Sequence, residues 1–318
     1  MKRIVLPLAL AVAVCAFARV TRAQILFSEN FNVNNTASWT VNDPALSDIG
    51  VDFFYDYSLI GVPAAPNGSG TLGLKMTANN SGGVFSGFSV SPTGQSFSGN
   101  YQVSFDLWQN YVGPLGVGGS GSTQLSTFGI GTSGTTAFWP GAAIKESVTF
   151  AVSLDGGSAS DYRAYSSAAP TSYASGNAVY LAPGGAINNS AAYYAVFTPQ
   201  SAPAAQVALF PGQTGTTDPG EASFLWRRVV IDVVDGFAEW SIDGLPIAKV
   251  DLSTVTLGGG NILFGHTDSN ATSSTDPNDS LLNVTLIDNI VVNAVPEPSS
   301  LALLIVGGLA LALRRRRS

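Results

Sequence analysis

The chain of 318 residues is poor in several residue types on which catalytic and metal sites depend. It has one cysteine and one histidine, which excludes an internal disulfide, a cysteine-rich zinc site and a multi-histidine metal centre. Charged residues make up only 11% of the sequence, and few are lysine or arginine, which argues against nucleic-acid binding. The 45% of hydrophobic residues is enough to build a core, so we do not expect disorder.

The first 23 residues have the pattern of a secretory signal peptide. Lys2 and Arg3 give it a positive start, and the apolar run 4–18 has the length that such signals use. This run is short for a membrane core of about 30 Å, so we expect cleavage rather than a permanent anchor. The predicted cleavage site lies between Ala23 and Gln24, which leaves residues 24–294 as an exported body.

The last 24 residues, 295–318, contain three elements in order. These elements are the motif Pro296, Glu297, Pro298; the apolar run Leu301–Leu313; and the basic cluster Arg314, Arg315, Arg316, Arg317. The apolar run is predicted to form a short transmembrane helix, and the arginines are expected to stay cytoplasmic, which places the body outside. The order closely resembles the PEP-CTERM sorting signal of bacterial surface proteins. The resemblance implies an exosortase, a membrane protease, as processing partner, and a transient membrane anchor.

Dividing the chain in this way changes the charge balance. Eight of the 14 basic residues and one of the 21 acidic residues lie in the two ends, so the body has a net charge near −14. The body also has no cysteine, because Cys15 lies in the signal peptide. An exported domain without disulfides depends on its core, and bound cations would offset its acidic excess.

Alternating apolar residues predict β-strands along the body. The segments Tyr101–Trp108, Val148–Leu154 and Leu282–Val292 each place their apolar residues on one face, although Asp288 interrupts the last. The body shows no amphipathic helix of useful length, which favours an all-β class, and no fixed-period repeat, which argues against a propeller or β-solenoid. Many short strands and long polar loops predict a two-sheet antiparallel sandwich in one domain. The less periodic stretch 159–219 is either an elaborated loop region or an inserted hairpin.

Two Asp-Gly pairs predict a meander of three antiparallel strands. Asp235-Gly236 and Asp243-Gly244 are strong signals for two-residue hairpin turns, because glycine accepts positive φ. The segment Trp226–Ile247 that contains them resembles the central part of concanavalin A-like, laminin G-type jelly rolls. Phe27–Phe31 and Leu286–Val292 are similar to the first and last strands of those proteins. The resemblance implies a jelly-roll fold and transfers no activity.

Catalytic patterns are weak in this sequence. The Glu-x-Asp-x-x-Glu pattern of jelly-roll glucanases is absent, and Asp232 and Glu239, expected to flank each other across a hairpin, would repel without a cation. His266 lacks the Gly-x-Ser-x-Gly elbow of a serine hydrolase and reads as a polar group at a strand end. The sequence therefore predicts no catalytic residues and a protein that is not an enzyme.

Acidic loops suggest a structural calcium ion. Asp268, Asp276 and Asp279 lie in one Asn-rich loop, which suits the oxygen ligands that Ca²⁺ prefers. The jelly-roll resemblance implies a second site where Glu29 in the first strand meets Asp288 in the last. The alternative is that these residues are ordinary loop formers.

Aromatic residues are candidates for stacking on sugars. Trp108, Tyr111 and Trp139 are the predicted ligand-binding residues, because a flat ring matches a flat sugar face. The alternative is that they pack in the core. Trp39, Trp226 and Trp240 are predicted to be core residues.

Three functions remain open at this point. The first is an exported, surface-sorted protein with a structural or adhesive role in the envelope or exopolysaccharide matrix, without catalysis. The second is a carbohydrate-binding laminin G-like module, with extracellular polysaccharide as partner. The third is a divergent glycoside hydrolase or polysaccharide lyase.

Overall fold

The computed structural model describes residues 24–43, 48–80, 86–113, 124–154, 159–268 and 277–296. The predicted signal peptide, Asp276 and everything from Glu297 onward lie outside these ranges, and with them Pro298, the 301–313 run and the arginines 314–317. Within the described ranges no helix is long and apolar enough to cross a membrane.

Fourteen strands of the described residues form two antiparallel sheets, which confirms the predicted all-β sandwich. The eight-stranded sheet contains β1 (Ile25–Glu29), β3 (Ile49–Asp56), β4 (Leu72–Ala78), β6 (Tyr101–Asn110), β10 (Arg227–Val234), β11 (Phe237–Ile242), β12 (Leu245–Asp251) and β14 (Val284–Ala294). The six-stranded sheet contains β2 (Trp39–Asn42), β5 (Ser86–Pro92), β7 (Gln124–Thr132), β8 (Val148–Ser153), β9 (Tyr162–Tyr165) and β13 (Asn261–Asp268).

The strand order puts the last strand at the centre of the molecule. The eight-stranded sheet runs β12-β11-β10-β6-β14-β4-β3, with β1 paired to β14 beside β4, and the six-stranded sheet runs β2-β5-β13-β7-β8-β9. The helices are short: α1 (Ala204–Leu209), α2 (Asp279–Leu282) and the 3-10 turns Thr36–Ser38, Tyr57–Ile60, Pro183–Gly185, Ala192–Tyr194 and Leu252–Thr254.

The β10–β11–β12 meander forms where the sequence predicts it. Asp235 and Gly236 join β10 to β11 with φ of 51° and 80°, and Asp243 and Gly244 join β11 to β12 with φ of 49° and 79°. Positive φ at both central residues is what a type I′ hairpin turn requires, and aspartate tolerates this region better than most residues.

A bulge in β14 corrects the prediction that Leu282–Val292 has a single apolar face. The register to β6 shifts between Asp288 and Val291, and Asn289 has a φ of 52°. Leu286 therefore packs outside the sandwich, whereas Ile290 packs in the core between the sheets. One inserted residue exchanges the faces, because side chains alternate with a period of two.

The core between the sheets is built from large aromatic side chains. Phe105 meets Phe128 and Phe264 edge to face, at centroid distances of 5.2 and 5.0 Å. Trp240 stacks on Phe150 at 5.3 Å. Burial of such rings is the main stabilising contribution to a domain without disulfides. The predicted core positions Trp39 and Trp240 are confirmed.

Further chain segments cover part of each outer face of the sandwich. On the six-stranded sheet, a cover segment (residues 133–146) packs Phe138 and Ile144 against Leu125 and Leu263. On the eight-stranded sheet, the loop 57–71 and the segment 199–226 pack around Trp108. Each sheet therefore buries apolar residues on both faces.

Apart from the edge strand β9 and the short helix α1, the stretch 159–219 is a loop region that closes the side of the sandwich, and it contains no inserted hairpin. Its backbone bonds to edge strands of both sheets, from the Tyr162 N–H to the Ile187 carbonyl and from the Leu181 N–H to the Ile247 carbonyl. This arrangement satisfies backbone groups that an open edge would expose.

Candidate functional site

A polar pocket of about 370 Å³ opens on the outer face of the eight-stranded sheet, beside the bulge of β14. Its walls come from the end of β1 and the loop that follows it, the loop 57–71, β10 and β14. The polar residues that line it are Ser28, Glu29, Asn30, Asn35, Asn67, Arg228 and Asn289.

Asp106 anchors three of these lining side chains and is itself fully buried. Its carboxylate accepts hydrogen bonds from the Asn67 amide at 2.7 Å, the Asn289 amide at 2.9 Å and the Arg228 guanidinium at 3.1 Å. Charge-assisted bonds of this kind are stronger than neutral ones, so the lining is held in place before any ligand arrives.

The bulge brings a second carboxyl group next to the first. Asp288 lies directly opposite Asp106 in the register of β14 and β6 and is 2% exposed. It accepts hydrogen bonds from the Asn289 N–H at 2.7 Å and the Tyr57 hydroxyl at 3.1 Å. Burial raises the pKa of Asp288 to about 7, and the negative charges of Asp106 and Glu29 act in the same direction. The carboxyl group of Asp288 therefore titrates near neutral pH.

Glu29 forms the acidic wall of the pocket. It is 8% exposed and accepts hydrogen bonds from the Phe31 N–H at 2.8 Å and the Asn35 amide at 3.0 Å. The same local contacts fix Asn35, which is exposed, at the rim of the pocket. The pocket thus offers a carboxylate, amides and a guanidinium to a ligand.

The structure brings Glu29 and Asp288 together as the jelly-roll resemblance implies, but their surroundings do not fit a calcium ion. Every carboxylate oxygen of Glu29, Asp106 and Asp288 accepts a hydrogen bond, and the guanidinium of Arg228 already pairs with Asp106. Ca²⁺ needs six to eight oxygen ligands. In the described part of the chain, no three His, Cys, Asp or Glu residues are grouped to hold a metal.

The second predicted calcium site stays a prediction. Asp268 is fully buried at the end of β13 and accepts a hydrogen bond from the Asn79 amide at 2.7 Å. Asp276 lies outside the described residues, and for Asp279 only the backbone in α2 is described.

The three aromatic residues predicted to bind a ligand are buried, which corrects that expectation. Trp108 is 1%, Tyr111 4% and Trp139 6% exposed. Trp108 and Tyr111 pack against Trp226 and Phe224 under the covered part of the eight-stranded sheet. Their ring faces are occupied by protein, so they have no free face for a sugar.

Trp139 packs against the six-stranded sheet at Gly87. A Cβ atom on Gly87 would come within 2.6 Å of the Trp139 ring, so only glycine allows this approach. The predicted turn-like setting of Trp139 before Pro140 exists, but the side chain points inward.

The remaining polar candidates lie apart from the pocket. Asp232 and Glu239 face each other across the β10–β11 hairpin, as predicted. Asp232 accepts a hydrogen bond from Gln102, and Glu239 pairs with Lys249 at 3.2 Å. His266 is fully buried near the end of β13, and burial lowers its pKa to about 3, so it stays neutral at physiological pH.

Sequence reasoning missed most of the pocket. Asp106, Asn67, Arg228, Asn289 and Tyr57 were not among the predicted site residues. One signal existed in β14, where Asp288 interrupts the apolar face, whereas Asp106 occupies an ordinary polar position of an alternating strand. The contacts across 122 and 183 residues of sequence, from Asp106 to Arg228 and to Asn289, leave no local pattern.

Comparison with protein families matches the PEP-CTERM protein-sorting motif to residues 294–317. The predicted sorting signal is therefore confirmed, and the chain is an exported protein that is sorted to the cell envelope. Comparison with curated proteins gives no match.

Comparison with solved structures finds proteins of jelly-roll type. An endo-1,3-beta-glucanase from Streptomyces sioyaensis is 12% identical, with 88% of this chain and 99% of that chain covered and a TM-score of 0.46. A protein of unknown function with a galectin-like fold from Bacillus subtilis is 12% identical, with 86% and 98% covered and a TM-score of 0.39. A carbohydrate-binding module from Bacillus subtilis is 6% identical, with 81% and 96% covered and a TM-score of 0.38.

These similarities concern the fold alone, because one jelly roll carries many activities. They nevertheless correct the expectation that the protein is not an enzyme. Structures of similar fold include glycoside hydrolases, so a lack of catalysis does not follow from this architecture. The chain is an exported two-sheet β-sandwich protein that carries a PEP-CTERM sorting motif at residues 294–317.

Proposed function

We propose that this protein binds carbohydrate at the cell envelope, through the polar pocket beside the bulge of β14. The observation that carries the proposal is the set of lining groups, a carboxylate, a guanidinium and several amides, held in place by the buried Asp106. Export to the envelope supplies the setting, since polysaccharide surrounds proteins there.

The chemistry of the pocket suits a hydroxyl-rich ligand. Sugar hydroxyls both donate and accept hydrogen bonds, and so do the amides of Asn35 and Asn67. Arg228 donates, and each oxygen of Glu29 can accept a second hydrogen bond beside the one it already has. A volume of about 370 Å³ lies at the small end of ligand pockets, which favours one or two sugar units.

The charge of the protein favours a neutral sugar. Glu29 places a carboxylate in the wall, and the body carries a net charge near −14. A uronate or sulfated sugar would meet repulsion from both, and among the residues that line the pocket only Arg228 opposes it.

The proposal is tested with a glycan array of neutral and acidic sugars, followed by calorimetric titration of the exported protein. We expect binding of a neutral oligosaccharide that Asn35→Ala weakens roughly tenfold, because one or two hydrogen bonds are lost. Asn34→Ala is the matched control, because Asn34 is an exposed neighbour that does not line the pocket.

Two results would contradict this assignment. One is a folded protein that binds no glycan on the array. The other is binding that Asn34→Ala and Asn35→Ala affect equally. Release of reducing ends is measured in the same titrations, because such release would show that the protein hydrolyses the sugar that it binds.

A further inference from the structure

The sorting motif begins inside the folded body. The matched residues start at 294, and Ala294 is the last residue of β14. Motif and fold therefore share residues, and no spacer separates them.

These shared residues are fixed on both sides. β14 lies between β1 and β6 over its last residues, where Asn293 is in register with Ile25 and Gln102. The Ala294 N–H then donates to the Gln24 carbonyl at 2.8 Å, and the Val295 N–H donates to the Asn100 carbonyl at 2.9 Å. The backbone is committed to the sheet through Val295.

Pro296 is the first residue free of the sheet. It is exposed, and proline has no N–H with which to continue the ladder. Only residues 297–300 separate it from the apolar run that starts at Leu301, and four residues span at most about 14 Å. A tail inserted in the membrane, as the sequence predicts, would thus hold the end of the sandwich that carries Gln24, Asn100 and Val295 close to the membrane.

We infer that folding of the body limits the rate at which the processing protease acts on the tail. Proteins that grip an extended segment do so through its backbone N–H and C=O groups. The N–H groups of Ala294 and Val295 are in use until the end of β14 separates from Gln24 and from Asn100. Processing therefore waits for a local opening of this strand end, an event much easier than global unfolding.

The predicted signal cleavage site and the start of the sorting motif lie next to each other at this end of the sandwich. The predicted signal cleavage leaves Gln24 as the first residue, and its carbonyl is the acceptor that holds Ala294. Closure of the strand end thus depends on Gln24, the residue directly before β1. This inference does not depend on the sugar pocket.

The test inserts Gly-Ser-Gly-Ser between Val295 and Pro296 of the full chain, in cells that contain the exosortase. The spacer gives the protease free backbone without disturbing β14, so we expect processing to be roughly tenfold faster in a pulse-chase experiment, as the loss of two hydrogen bonds implies. The same insert between Pro211 and Gly212, an exposed turn, is the control and leaves the rate unchanged.

A spacer variant processed at the unchanged or a slower rate, with an unchanged melting temperature, would overturn the inference. A second measurement applies if the variant is not exported. In unprocessed protein from cells without the protease, the amide hydrogens of residues 294 and 295 exchange slowly by mass spectrometry. Exchange at the rate of a free peptide would overturn the inference as well.

Discussion

The two outer faces of the sandwich differ: a cover segment packs on the six-stranded sheet, and a polar pocket opens on the eight-stranded sheet. On the six-stranded sheet, Gly87 has no side chain and leaves room for Trp139 of the cover segment, and Phe138 and Ile144 of that segment pack on the same sheet. On the eight-stranded sheet, the bulge of β14 places Asp288 and Asn289 beside Asp106, and a pocket stays open next to them.

This difference indicates that the cover of the six-stranded sheet has a packing role, whereas the open pocket of the eight-stranded sheet is suited to binding. The cover over the six-stranded sheet is apolar, so its aromatic rings stabilise the fold. The polar cluster on the eight-stranded sheet costs desolvation energy, which only a complete set of hydrogen bonds offsets. Polar groups kept at such a cost beside an open pocket are candidates for function. The following predictions test this contrast.

The largest effect is expected from Asp106→Ala. The substitution removes the acceptor for Asn67, Arg228 and Asn289 and leaves a guanidinium without its partner, which should lower the free energy of unfolding by about 4 kcal/mol. Urea denaturation measures it. Asp232→Ala, on the same face with a single side-chain partner, is the control and should cost under about 1 kcal/mol. An equal decrease in the free energy of unfolding for both variants would mean that the hydrogen bonds around Asp106 stabilise the fold no more than an ordinary surface contact.

Asp288→Asn should change the pH dependence of stability. The folded pKa is about 7, and the unfolded value is about 3.9, so the folded state binds the proton more tightly. Stability is then lost as pH rises from about 4 to 7, by on the order of 3 kcal/mol, and levels off above that range. Asp288→Asn lacks this loss, so its free energy of unfolding should rise relative to that of the wild type between pH 4 and 8. Parallel curves from urea denaturation at pH 4, 6 and 8 would refute the raised pKa.

Gly87→Ala tests the cover on the other face. The new methyl group would lie within 2.6 Å of the Trp139 ring, so the cover segment must shift, at a cost of about 2 kcal/mol by thermal or urea denaturation. Gly212→Ala is the matched control, since nothing lies within 4 Å of the added Cβ. Sugar affinity should stay unchanged in both variants. A loss of affinity in Gly87→Ala alone would move the site to the six-stranded sheet.

The smallest effect is expected from calcium at the pocket. Because hydrogen bonds already engage Glu29 and Asp288, calcium or chelator should shift the melting temperature of wild type and Glu29→Gln equally. A calcium-dependent shift that disappears in Glu29→Gln would place a cation site there. A shift present in both proteins would favour the predicted loop site around Asp268 and Asp279.

Much of the fold follows from local patterns. Period-two alternation marks β6 and β8, and Asp235 and Asp243 mark the two hairpin turns, because each depends only on neighbouring residues. Leu107 and Trp108 stand next to each other in β6, and such neighbours point to a strand buried on both faces. That pattern indicates the packing role of Trp108.

The pocket depends on features that sequence patterns do not carry. The bulge requires Asn289 at positive φ, which asparagine tolerates in many contexts without forming a bulge. The bulge lies where Asp288 is in register with Asp106. Tyr57 donates a hydrogen bond to Asp288 and Asn67 donates one to Asp106, which connects this pair to the loop 57–71, far away in sequence. Long-range pairing of this kind depends on the whole topology, so the predicted pair of Glu29 and Asp288 captured one part of the cluster.

Mapping the bound sugar by NMR tests the central claim most directly. In the exported protein, titration with an oligosaccharide selected on the array should shift the amide signals of Glu29, Asn35, Asn67 and Asn289, and leave Phe138, Trp139 and Ile144 unchanged. Shifts confined to the cover segment, or no saturable shifts at the pocket, would contradict the assignment of binding to the eight-stranded sheet.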